Sequence, residues 1–190
     1  MQELILEPYS GLVFGFTPGQ STSLSGAQNG GVFLGMLTVG IAATGFRFGS
    51  LRNWVIVGCL GSAASLGVIA TAGAMQWNIL TPAVMALGVF NGVFAVAAIG
   101  SMMALAGEGR GRREGTRMGL WGAAQAIAAG FGGLLGAAAV DAMRTVMTDS
   151  TAFGTVFIAE ATLFMVAAYM AVRILDAGRT PTAAHMVPGE

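Results

Sequence analysis

The chain has 190 residues, of which 55% are apolar and 9% charged, with a net charge of zero and a mean hydropathy of +0.73. An ordinary soluble domain carries about a quarter charged residues to cover its surface, so this shortage points to a surface that faces lipid. The neutral balance argues against a nucleic-acid partner, which demands a basic excess. The single cysteine, Cys59, excludes an internal disulfide and a cysteine-rich metal site, and in its apolar run it reads as a packing residue.

In chain order, Met1-Gln2-Glu3 offers no positive region before the first apolar residues, so the start does not read as a signal peptide. Leu4-Ile5-Leu6 and Leu12-Val13-Phe14 are apolar but too short and broken to span. Residues 1–21 therefore read as an outer-surface segment, the remnant of a helix end.

Charge-free stretches then run from Glu7 to Arg47, from Arg52 to Glu108 and from Arg117 to Asp141. One helix needs about 20 residues to cross a bilayer core, so the middle stretch holds two spans, with a turn at Met75-Gln76-Trp77-Asn78. The predicted spans are 22–45, 54–74, 81–105, 118–140 and 152–174. Thr81-Pro82 is expected to cap and start the third, Asp149-Ser150-Thr151 to cap the fifth, and Trp77 to sit at an interface. The expected fold is all-α, a polytopic bundle of about five transmembrane helices over 22–175. A polar tail, 176–190, is expected to be cytoplasmic and mobile. No strand alternation competes, and backbone satisfaction in lipid favours helices.

All nine basic residues are arginines. Arg47, Arg52, Arg110, Arg112, Arg113, Arg117, Arg173 and Arg179 fall on one side of this topology, and only Arg144 on the other. The positive-inside rule makes the first side, with the C-terminus, cytoplasmic. Glycine is abundant within the spans, 30 in all. The pairs Gly31/Gly35 and Gly88/Gly92, and the group Gly130, Gly132, Gly133 and Gly136, predict close helix packing in lipid.

Few polar groups enter the spans. Glu160 lies about 12 Å below the outer surface, Asn91 about 13–15 Å from the same side, and Gln125 about 10 Å in from the cytoplasmic side. An ionised carboxylate at such depth is costly, so Glu160 should be partnered or protonated. The three form a candidate buried polar cluster, and two readings stay open: a hydrogen bond that fixes packing, or a ligand or proton site. Apolar residues flank Glu160 on its own face: Phe153, Val156, Phe157, Leu163 and Phe164.

No catalytic set is expected. The one histidine, His185, lies in the tail, and no P-loop, zinc spacing or dinucleotide fingerprint occurs. Gly107-Glu108-Gly109-Arg110-Gly111 reads as a flexible connection rather than a phosphate loop.

Two motifs resemble signatures of the PucC/LhaA family, the bacteriochlorophyll-delivery branch of the major facilitator superfamily. One is Glu7-Pro8-Tyr9-Ser10-Gly11, with serine where the family form has glycine; the other is Trp121-Gly122-Ala123-Ala124-Gln125-Ala126. The resemblance runs from residue 1 to about 175. It implies a chain that corresponds to the end of helix seven plus helices eight to twelve of a twelve-helix protein. It also implies a role in assembling light-harvesting antenna complexes in the bacterial inner (intracytoplasmic photosynthetic) membrane. The implied cofactor is bacteriochlorophyll, and the implied partners are membrane lipid and light-harvesting or reaction-centre polypeptides. No histidine lies in a span, so Glu160, Asn91, Gln125 or a water would have to ligate magnesium. Two alternatives remain: a half-size transporter working as a homo- or hetero-oligomer, and a fragment of a full-length family member.

Overall fold

The computed structural model describes residues 2–45, 49–107 and 114–177, and every described element is helical. Arg47, Arg110, Arg112, Arg113, Arg179, the glycine-rich connection and the tail, all invoked above, lie mostly or wholly outside the described residues. The helices are α1 (Gln2–Phe14), α2 (Pro18–Gly40, closed by a π-helical turn Ile41–Gly45), α3 (Leu51–Met75), α4 (Leu80–Gly107), α5 (Glu114–Arg144) and α6 (Asp149–Ala177).

Residues 1–21 do not lie along the surface as expected. Ile5, Leu6, Tyr9 and Ser10 of α1 are buried, and the helix stands in the bundle beside α2, α5 and α6. Ile5 and Leu6 need no full span of their own, because neighbouring helices cover them. The turn at 15–17 then reverses the chain. Gly15 takes a φ of 68°, and Thr17 and Gln20 form a reciprocal capping box with Pro18 in the first turn.

That cap starts α2 four residues before the expected boundary. α2 is long enough to cross a bilayer, but its first half carries Gln20, Ser21, Thr22, Ser23, Ser25, Gln28 and Asn29. Among the described residues four helices, rather than the expected five, are both long and apolar enough to span: Leu51–Met75, Leu80–Ala104, Gly115–Arg144 and Asp149–Arg173. Two caps also differ. Thr81 and Pro82 lie inside the first turn of α4, which begins at Leu80. α6 begins at Asp149, with the Thr148 hydroxyl 2.9 Å from that of Thr151, and the Asp149 carboxylate is taken by Arg144 at 2.6 Å. The turn after α3 falls where expected, with Gln76 left-handed at φ 55° and Trp77 half exposed beyond it.

Glycine sets the tightest crossing. A Cβ on Gly31 or Gly35 of α2 would collide with the carbonyl oxygen of Met85 or Val89; one on Gly88 or Gly92 of α4 would collide with that of Gln28 or Val32. The two expected pairs are thus opposite faces of one parallel α2–α4 contact, backbone against backbone. α3 packs antiparallel on both α4 and α6. Its Gly58 and Gly61 admit Phe94 and Phe90.

The main core gathers Tyr9, Leu66, Ile69, Leu80, Val84, Leu87, Phe153 and Phe157. A smaller cluster, Val55, Cys59, Ala97 and Ala168, holds the other end, and Cys59 is fully buried there. α5 is the exception. Leu120, Phe131 and Leu134 are 73%, 66% and 68% exposed, and Gly119, Gly122 and Gly130 meet no neighbour. Of its glycine group, Gly133 makes a close approach, to Leu4.

Candidate functional site

Helix geometry brings the interior polar groups to a common level. At about 1.5 Å per residue, Asn91 of α4, Glu160 of α6 and Gln2 of α1 each stand roughly 16–18 Å from the outer ends of their helices. Asn91 is held on both sides: its Oδ1 accepts from the Ser62 hydroxyl at 2.9 Å, and its Nδ2 donates to Gln2 Oε1 at 2.8 Å. This chain of bonds ties α3, α4 and α1 together.

Glu160 stands apart from that chain. It is 4% exposed, both carboxylate oxygens are sealed inside the protein, and the polar group set against them is the Gln2 side chain. A buried carboxyl with so little hydrogen bonding is expensive, and part of its side chain borders a cavity. A cavity of about 600 Å³ is lined by Gln2, Gln28, Asn91, Gln125, Glu160 and the apolar residues Val32, Phe94, Ala95, Leu163, Phe164 and Ala167. The Phe94 and Phe164 rings meet edge to face, with centroids 6.2 Å apart.

All three residues of the expected polar cluster therefore line one cavity, but Glu160 is not hydrogen-bonded to Asn91 or Gln125. Gln125 sits on the exposed α5 and closes the cavity from that side. Of the apolar residues flanking Glu160, Leu163 and Phe164 face the cavity, whereas Phe153, Val156 and Phe157 are core.

Sequence reasoning missed two carboxamides. Gln28 is 5% exposed and lies on the face of α2 that carries Gly31 and Gly35, so the i, i+3, i+7 spacing was its available signal. Gln2 offers none, because its helix is too short to be read as part of the bundle. Among the described residues, the wall holds one carboxyl and four carboxamides but no lysine, arginine or histidine. It suits hydrogen-bond donors, cations or a metal with one open position, and disfavours anions. Among the described residues, no group of three histidine, cysteine, aspartate or glutamate side chains could hold a bare metal ion.

The other motif residues divide. The Tyr9 hydroxyl donates to Ile69 O at 2.6 Å, and its ring packs on Phe14, Phe153 and Phe157 with centroids 4.9–5.5 Å away. Tyr9 thus docks α1 into the bundle. Glu7 and Pro8 are exposed, Trp121 is half-buried, and Gly122 is exposed with nothing against it.

No solved structure matches the chain. It is 65% identical over 185 residues to the "Bacteriochlorophyll synthase 44.5 kDa chain" of Rhodobacter capsulatus, covering 96% of this chain and 43% of that protein. It is 32% identical over 184 residues to "Protein PucC" of Cereibacter sphaeroides, covering 94% of this chain and 36% of that protein. The chain thus spans less than half the length of these relatives. The family described as PUCC protein matches residues 1–179, and with these motifs and this helical bundle the chain belongs to it.

Proposed function

We propose that the chain serves as a membrane accessory or assembly factor for photosynthetic light-harvesting complexes, handling bacteriochlorophyll at the Glu160 cavity rather than catalysing a reaction. The observation that carries this reading is the cavity itself: a buried carboxyl and four carboxamides beside apolar and aromatic walls, well inside helices long enough to span. Such a wall receives a largely apolar molecule with one polar point. Among the described residues, its lining holds one carboxyl and no second acid, histidine or cysteine to act as base or nucleophile. The name of the Rhodobacter capsulatus relative, which includes bacteriochlorophyll, supports the choice of pigment.

The bacteriochlorophyll would be held by Glu160, Gln28, Asn91 and Gln125 on the polar side and by Phe94, Leu163 and Phe164 on the apolar side. The chain would work in the inner photosynthetic membrane with its C-terminal end cytoplasmic, following the arginine bias. The light-harvesting or reaction-centre polypeptides are its proposed partners, and the bare apolar surface of α5 is where a partner helix would dock.

The test is purification of the tagged chain in mild detergent from a photosynthetic bacterium. Light-harvesting polypeptides and bacteriochlorophyll absorbance should follow it. A colourless preparation with no antenna polypeptide overturns the reading. A half-size transporter acting as an oligomer is the second reading, favoured by the same uncovered α5. It requires flux in proteoliposomes that Glu160→Gln abolishes.

A further inference from the structure

The polar groups that line the cavity are not equally available to a guest. Asn91 is engaged on both sides, its oxygen accepting from Ser62 and its nitrogen donating to Gln2. Glu160 borders the cavity, but both of its oxygens are sealed against the Gln2 side chain. Gln125 stands on the exposed stretch of α5. Gln28 differs from all of these. It is 5% exposed, and its carboxamide has no hydrogen-bond partner among the described residues. Its nitrogen and oxygen are not among the sealed, unpaired polar atoms, so the carboxamide opens onto the cavity that it lines.

A buried carboxamide normally finds a partner inside the protein, because leaving one unpaired is costly. Gln28 is also fixed in place. It stands at the glycine-locked crossing, where a Cβ on Gly88 would collide with its backbone oxygen. Around it the cavity presents Val32, Phe94, Leu163 and Phe164. A few firmly placed polar groups among apolar and aromatic walls are what orients a small molecule in its pocket.

Resting on the proposed handling of bacteriochlorophyll, we infer that Gln28 is the residue by which the cavity recognises its guest, its amide N–H donating to a peripheral carbonyl of the pigment. Bacteriochlorophyll a carries acetyl, keto and ester carbonyls on its rim and no O–H or N–H group, so its edge offers acceptors alone. The Gln28 carboxamide therefore acts through Nε2, and the remaining contact is apolar. Glu160 and Asn91, already facing protein groups, build the wall beside it.

The experiment titrates the full chain, in detergent micelles, with bacteriochlorophyll a. Affinity is read from pigment fluorescence, and the carbonyl stretching bands of the bound pigment from resonance Raman spectra. With the wild type, one carbonyl band should lie lower than in pigment held by the same micelles without protein. Gln28→Leu, close in size and unable to donate, should return that band to its free position. It should also weaken binding by about two- to tenfold, the range of one neutral hydrogen bond. Without pigment, Gln28→Leu should unfold at the same or a higher temperature than the wild type, because an apolar group replaces an unpaired buried carboxamide. A glutamine that only holds helices together would give a lower temperature. Free carbonyl bands in the bound wild type, an unchanged band and affinity in Gln28→Leu, or early unfolding of that variant overturns the role of Gln28 while pigment handling stands. Failure of the wild type to bind the pigment overturns both.

Discussion

Gly30 and Gly31 are neighbours in sequence, yet alanine should move stability in opposite directions at the two positions. Gly31 is buried against α4, where a new Cβ would strike Met85 O and lie 3.0 Å from Val89 N. Both atoms are backbone, so neither can rotate away. To reach ordinary contact the helices must part by about 1 Å, which forfeits roughly a quarter to a half of the dispersion well for each atom pair along the crossing. Overpacking of this kind costs about 1–3 kcal/mol. Gly30 is exposed and has nothing within 4 Å. Alanine there removes backbone freedom from the unfolded chain and should gain up to about 0.5–1 kcal/mol. Cys59, the single cysteine, is fully buried and makes the assay simple. A thiol-reactive fluorophore reports its exposure as the protein is heated in detergent. Gly31→Ala should bring exposure at a lower temperature than wild type, and Gly30→Ala at the same or a higher one. Coincident curves for the two variants would refute the backbone-to-backbone contact.

The same assay serves for the remaining stability expectations. Tyr9→Phe removes the buried bond to Ile69 O and should cost about 0.5–1.5 kcal/mol; Tyr9→Ala empties the aromatic cluster and should cost about 3–5 kcal/mol. Asn91→Ala and Ser62→Ala should each destabilise by about 1–3 kcal/mol and combine less than additively, because they break one shared bond. Arg144→Ala should cost at most about 1 kcal/mol, less at high salt, since Arg144 and Asp149 are both partly exposed. For orientation, alkaline phosphatase inserted after Thr148 should be active and the enzyme fused at the C-terminus inactive. The reverse pattern would invert the topology.

Much of the fold was legible because lipid imposes a coarse rule: long charge-free runs must be helices. The predicted spans 54–74, 81–105 and 152–174 match α3, α4 and α6 to within about one helical turn at each end. α5 extends a full turn beyond each expected end, since Arg117 and Asp141 mark where charge begins and not where hydrogen bonding stops. α2 and α1 are harder. The polar residues from Gln20 to Asn29 hide the start of α2, and its cap is made by a threonine and a glutamine that are equally common in loops. α1 is too short to announce itself by hydropathy, and its burial depends on Tyr9 finding Phe153 and Phe157, which lie on the last helix of the chain. The cavity was legible in part. Glu160, Asn91 and Gln125 stand out as rare polar groups in greasy helices. Gln28 does not, because its polarity is masked by the polar half of α2.

α5 is fastened at one end. Val140 enters the main core, Gly133 touches Leu4 and the Arg144–Asp149 ion pair pins the turn, while the stretch that carries Gln125 meets little of the bundle. Five helices thus wall the cavity, and α5 is the one whose lining residue stands on a stretch with little behind it. A displacement of that helix alone would change the width of the cavity and leave the glycine-locked α2–α4 crossing as it is.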